Sequence, residues 1–146
     1  MKVHILGDAG VGKTSLIRFL KQQTFDHNYE PTTKDTYYEI YHNLLKYEVW
    51  DTPPEEKYHV DYSLCELVII MFDVTRPDTF TNACLWYNRI REKTNTPILF
   101  IANKCDMQKL YFYKDKLDKP CLNISIKTQY NCEKLTFKIN ELFDFW

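Results

Sequence analysis

The chain has 146 residues, 45% hydrophobic and 27% charged, with a formal net charge of −1. That length suits one domain with a real core, and a near-neutral balance without a tract of Lys or Arg gives no reason to expect nucleic acid as a partner. Five scattered cysteines, at 65, 84, 105, 121 and 132 and without CxxC spacing, argue against a disulfide framework or zinc site and fit a reducing compartment.

Short apolar runs alternate with helical patterns along the chain. KVHIL (2–6) reads as a buried strand ended by Gly7, and KTSLIRFLKQQ (13–23) as a helix with Leu16, Ile17 and Leu20 on one face. TYYEIYH (36–42) and LLKYEVW (44–50) are separated by little more than Asn43, which predicts an antiparallel hairpin. ELVIIMFDV (66–74) is a long apolar run, as expected of a strand covered on both faces. The segment 78–93 places Phe80, Ala83, Cys84, Tyr87 and Ile90 on one helical face. PILFIANK (97–104) and PCLNIS (120–125) read as strands, and 131–145 spaces Cys132, Leu135, Ile139, Leu142 and Phe143 as a helix. YFYKDKLDK (111–119) reads as a short helix or a loop. This alternation predicts an α/β fold with a mostly parallel, doubly wound sheet and helices on both faces.

The strongest motif is GDAGVGKT, Gly7 to Thr14, which matches G-x-x-x-x-G-K-[ST] between a strand and a helix. Glycines let the loop wrap a phosphate with backbone N–H groups, and the following helix aims its positive end at the anion. The stretch Gly7, Asp8, Ala9, Gly10, Val11, Gly12, Lys13, Thr14 and Ser15 is therefore the candidate phosphate site. Lys13 reaches the β- and γ-phosphates and the Thr14 hydroxyl coordinates Mg²⁺ in such loops. All 3 glycines of the chain lie here, more than a plain strand-to-helix turn needs.

The base reader is expected after the later strands. NKCD supplies Asn103, Lys104 and Asp106, and NISIKT supplies Ser125, Ile126 and Lys127. An Asp carboxylate can accept two parallel bonds from guanine N1–H and its amino group; adenine has no such donor pair, so the wrong base leaves polar groups unpaired. The Lys104 stem can lie along the base, and the Ile126 N–H can donate to the guanine carbonyl.

Taken in order, GDAGVGKT, YEPTT, WDT, FDVT, NKCD and SIK resemble the Ras superfamily of small GTPases across essentially the whole chain. The loop and FDVT look Rab-like, and YEPTTKDTYY looks nearer to Ras or Rho. The resemblance implies a single G domain over 1–146, a P-loop NTPase fold of six strands and five helices, and GTP or GDP bound with Mg²⁺. It places Phe25 where the family stacks an aromatic ring on guanine, and Tyr29 where a tyrosine covers the phosphates. Thr32 stands where a hydroxyl binds Mg²⁺ and an N–H meets the γ-phosphate, and Asp51 where a carboxylate holds Mg²⁺ through water. Thr14, Thr32 and Asp51 are thus the expected metal residues.

After WDT the family usually carries Ala, Gly and Gln; here stand Pro53, Pro54 and Glu55. Proline has no N–H to give to a γ-phosphate. An ionised Glu accepts but cannot donate, and it adds negative charge to an anionic transition state. The expected catalytic set, Lys13, Thr32 and Glu55, therefore implies slow hydrolysis. The alternatives left open are a loop-stiffening proline pair with another residue placing the water, and a non-hydrolysing GTP-binding interaction module.

The expected function is a guanine-nucleotide switch with GTPase activity, and the Rab likeness implies vesicle trafficking. Effectors and regulators are expected at 26–36 and 52–64, with no nucleic acid and a monomeric state. MKVHILGD has too short an apolar run for a signal peptide. ELFDFW carries no prenylation box, and Lys2 rather than Gly follows Met1. A cytoplasmic protein with no direct lipid anchor is expected.

Overall fold

A computed structural model describes residues 1–21, 36–42, 45–51, 61–107 and 113–143; in the segments 36–42 and 45–51 it describes the backbone alone, Glu48 excepted. Six strands, β1 (Lys2–Leu6), β2 (Thr36–His42), β3 (Leu45–Asp51), β4 (Leu67–Asp73), β5 (Ile98–Asn103) and β6 (Cys121–Asn123), form one sheet in the order β2-β3-β1-β4-β5-β6. Only β2 runs antiparallel, as the hairpin partner of β3. Among the described residues the helices are α1 (Lys13–Leu20), α2 (Pro77–Lys93) and α3 (Glu133–Phe143), with a 3₁₀ turn at Tyr62–Leu64. The two further helices implied by the family resemblance are not among the described residues; 113–116, inside the ambiguous 111–119 segment, are turns.

The alternation of β4 sorts the core into two layers. Leu67, Ile69 and Met71 pack with Val3 and Ile5 of β1 against Leu16 and Ile17 of α1 and Leu135 and Ile139 of α3. Val68, Ile70 and Phe72 point the other way, to Phe80, Ala83, Trp86 and Ile90 of α2. Every residue of β4 is buried, which is why it reads as an unbroken apolar run. The second layer is aromatic: Phe72 meets Phe80 and Tyr113 edge-on, with ring centroids 5.1 and 4.9 Å apart, a preferred arrangement for such rings.

On α2 the face is rotated from the expected one. Phe80, Ala83 and Ile90 are buried as predicted, but Trp86 is buried with them, while Cys84 and Tyr87 are half-buried at the margin. The larger apolar ring takes the centre of the contact. Helix α2 opens with Pro77 at its first position and Asp78 in its first turn, and closes with Arg91 and Lys93. Each of these suits the helix dipole or its orphan amides. Strand β3 sits one residue later than expected and β6 is shorter; Ser125 instead bridges to Tyr130.

The parallel strands all end at one edge, and β1 lies where the connections diverge, with β3 on one side and β4 on the other. In open α/β sheets that crevice is where ligands bind. The segments after β1, β4, β5 and β6 gather there.

Candidate functional site

The turn after β1 is held carbonyl by carbonyl. Lys13 Nζ donates to Gly7 O at 2.8 Å and to Asp8 O at 3.1 Å. Arg76 Nη2 donates to Ala9 O at 2.8 Å, Lys104 Nζ to Gly10 O at 2.8 Å and Asn103 Nδ2 to Val11 O at 2.9 Å. The Gly12 carbonyl takes the Leu16 amide at 2.9 Å as α1 begins. A trans peptide sets its N–H opposite its C=O, so holding these oxygens fixes where the loop amides aim. Asp8 is tied down as well, its Oδ2 accepting from Asn82 Nδ2 at 2.7 Å.

Gly12 shows why this sequence position tolerates no side chain. Its φ is +111°, and a Cβ there would lie 2.3 Å from Asn103 Nδ2. Asn103 has little room to retreat, because its Oδ1 also accepts the Ile126 amide at 3.2 Å. The amide that the sequence offered to a guanine carbonyl therefore donates to Asn103 in this structure.

Beyond β5 the chain turns sharply. Lys104 adopts φ 65°, a left-handed conformation uncommon for a side-chain-bearing residue and concentrated at functional sites. Cys105 N–H bonds Ile124 O at 3.1 Å and Met107 N–H bonds Lys104 O at 2.9 Å, which locks the turn. Asp106 is left exposed, with its Oδ1 held by Ser125 Oγ at 2.7 Å. Ser125 is fully buried and its Oγ also accepts the Thr128 amide at 3.2 Å. A carboxylate so oriented at an open edge is an acceptor for paired N–H donors. Lys127 is exposed.

Between the loop and the Asn103–Asp106 turn lies Asp73, the last residue of β4, only 1% exposed. Its Oδ2 takes Lys104 Nζ at 2.8 Å and Arg76 Nε at 3.2 Å. Its Oδ1 takes the Thr75 amide at 2.8 Å and the Thr75 hydroxyl at 2.6 Å. Burial pushes the carboxyl pKa up, but the Lys104 and Thr75 bonds outweigh it and the net shift is downward. Asp73, Arg76 and Asn82 were not foreseen as site residues; the only sequence signal was FDVT, quoted as a motif without a role for its Asp.

The structure thus brings together residues 7–13 with Asn103, Lys104, Asp106, Ser125 and Ile126. Thr14 and Ser15 open α1 and are half-buried. Asp51 ends β3 opposite Ile5 in the register, so its backbone stands beside the strand that enters the loop. Phe25, Tyr29, Thr32 and Glu55 lie outside the described residues. For Mg²⁺, Thr14 is a suitable hard-oxygen donor, and Asp51 supplies a second oxygen donor by residue type.

A sequence model of the Ras family matches residues 2–142. The chain belongs to the Ras family. Relatives that it matches are Ras-related Rab proteins, so within that family the chain is Rab-like. Ras-related protein Rab-7L1 of Homo sapiens is 32% identical over 137 residues, covering 81% of this chain and 66% of the relative. Human Rab-31 is 28% identical over 153 residues, covering 92% and 78% respectively, and human Rab-22A is 28% identical over 160 residues, covering 96% and 81%. The chain thus spans just under two thirds of the length of Rab-7L1. In this Ras-family member, no helix among the described residues is long and apolar enough to cross a membrane.

Proposed function

We propose that the protein is a guanine-nucleotide switch that binds GTP and GDP with Mg²⁺ and hydrolyses GTP slowly. The observation that carries the base choice is Asp106, exposed at the sheet edge with its carboxylate oriented by buried Ser125. The phosphates are assigned to the loop of Gly7 to Thr14, whose carbonyls from Gly7 to Gly12 are each engaged. Lys13 bridges two of those carbonyls with its ammonium, so the cation already lies over the loop. Thr14, with Thr32 and Asp51, is assigned to the metal. Phe25 and Tyr29 are assigned to the base and the phosphates on the family likeness. The single G domain, effector contacts at 26–36 and 52–64, and a monomeric state belong to the same reading. A role in vesicle trafficking follows the Rab-type relatives. A cytoplasmic site of action fits the five free cysteines.

The first experiment denatures purified protein and identifies the released nucleotide, then titrates it with GDP, GTP, ADP and ATP. Guanine nucleotides are expected far tighter; equal affinity for ATP and GTP overturns the reading. Hydrolysis is then read by single-turnover cleavage. Pro54 removes one γ-phosphate donor, and a hydrogen bond to a charged group is worth about 1.5–3 kcal/mol. Replacing Pro53-Pro54-Glu55 by Ala-Gly-Gln is therefore expected to raise the cleavage rate and the GTP/GDP preference together, the latter roughly tenfold. An unaltered chain that already cleaves as fast as the replaced one shows that another group positions the water.

A further inference from the structure

Two cations near the loop share one buried anion and hold two consecutive loop carbonyls. Arg76 places Nε on Asp73 Oδ2 at 3.2 Å and Nη2 on Ala9 O at 2.8 Å. Lys104 places its ammonium on the same Oδ2 at 2.8 Å and on Gly10 O at 2.8 Å. Arg76 itself is set by the start of α2. Its N–H bonds Asp73 O at 3.0 Å. Its carbonyl accepts the Thr79 hydroxyl at 2.7 Å, and Thr79 Oγ1 accepts the Asp73 amide at 2.9 Å. The guanidinium is therefore delivered to the loop by a stitched corner, although its side chain is 42% exposed.

We infer that Arg76 is a positioning residue for nucleotide retention: with Asp73 and Lys104 it forms a latch that fixes the Ala9 and Gly10 carbonyls and so slows nucleotide release. The inference rests on the guanine-nucleotide reading above. The physical argument is one of orientation. With the Ala9 and Gly10 oxygens held to one side, the peptide N–H groups of Gly10 and Val11 are turned to the other, where a loop of this kind meets phosphate; the Val11 N–H makes a long bond to Asp8 O there, at 3.4 Å. Lys104 belongs at once to the base-reading turn and to this latch, so the base and phosphate ends are joined through a single carboxylate. Releasing either carbonyl frees a peptide to rotate, and the amide donors lose their common aim.

Arg76 holds Asp73 and Ala9 from two different nitrogens of one rigid plane, whereas Lys104 bridges its own pair from a single nitrogen on a flexible stem. That difference separates a latch from simple charge attraction. The test loads full-length protein with N-methylanthraniloyl-GDP and follows its release into excess unlabelled GDP, for the unaltered chain, Arg76→Gln and Arg76→Lys. Both variants are expected to release about tenfold faster, the loss of roughly one charge-assisted hydrogen bond. Thermal unfolding without nucleotide is expected to fall only modestly in either variant, because Lys104 and Thr75 still partner the buried Asp73 carboxylate. If Arg76→Lys releases as slowly as the unaltered chain, Arg76 acts through charge alone and the latch is overturned. Unchanged release from Arg76→Gln overturns it too. Failure of the unaltered chain to take up labelled GDP defeats the nucleotide reading itself, so the two failures are told apart by the first measurement.

Discussion

Asp73 and His4 stand on adjacent strands, 1% and 5% exposed, and both titrate below their ordinary values. The same direction means opposite things. Asp73 is kept charged, because Lys104 and Thr75 outweigh the cost of its burial. His4 is kept neutral: burial first, then the nearby Lys2, lowers its pKa from 6.5 to about 4. At the loop edge of the sheet the interior accepts a charge and surrounds it with cations that reach onward to the carbonyls of Ala9 and Gly10. Around His4 it accepts an aromatic ring, with Tyr62 edge-on at 5.8 Å. A buried charge costs several kcal/mol unless fully partnered, so its retention at one place marks where the fold spends stability on a site. Cations held against loop carbonyls need a counter-charge to keep them in place. Asp73 meets that need.

The strongest way to break the loop side of this comparison is Gly12→Ala. A left-handed φ for a Cβ-bearing residue costs about 1–3 kcal/mol. The clash with Asn103 Nδ2 at 2.3 Å also disrupts buried hydrogen bonds worth about 1–3 kcal/mol. A loss of about 4 kcal/mol is expected from these two together, seen as a lower unfolding midpoint and as GDP that no longer co-purifies. Wild-type stability with retained nucleotide would show that the loop can rearrange around the methyl group.

Removing the buried anion comes next. Asp73→Ala leaves Lys104 and Arg76 without their shared carboxylate, but both side chains are about two-fifths exposed (39% and 42%) and can turn to water. The cost is expected at the low end for a broken buried pair, about 3 kcal/mol in chemical denaturation. An equal loss in Thr75→Val, which removes one of the bonds to Oδ1, would shift the credit from the cations to the turn.

The same contrast explains what was legible in the sequence. The strands and helices were readable because β4 and β5 are apolar up to their last residues, Asp73 and Asn103, and α1 and α3 carry clear stripes. Gly7 to Thr14 and Asn103 to Asp106 were readable because their chemistry demands fixed residue types at fixed spacing. Trp86 was missed because the helical face was phased on Cys84 and Tyr87, and the larger ring shifts the contact by part of a turn. Asp73 and Arg76 were missed for a different reason. What ties them to the site is the Ala9 carbonyl for Arg76 and Lys104 for Asp73, more than 25 positions away, and a backbone oxygen leaves no residue-type signature. The Ile126 amide went to Asn103 because that side chain, already bonded to Val11, lies within reach of it.

The smallest expected effect sharpens the His4 side. A pKa lowered on folding means that the unfolded chain binds the proton first. Between pH 6.5 and about 4 the unfolded state holds more protons, so stability falls as the pH falls through that window. Above pH 6.5 the neutral ring contributes in full; below about 4 both states are protonated and the slope ends. The full size across the window is on the order of 3 kcal/mol, reached only at its acid end. Asp73 acts only lower, losing its contribution as the pH drops below its ordinary 3.8, so the two groups separate on the pH axis. His4→Phe keeps an aromatic ring against Tyr62 and removes the titration. Its denaturation midpoint is expected to be nearly flat between pH 6.5 and 4, with the acid loss below that range intact. An unchanged slope in His4→Phe would transfer the effect to other groups and end the contrast between a charge retained at the loop and a charge excluded from the aromatic layer.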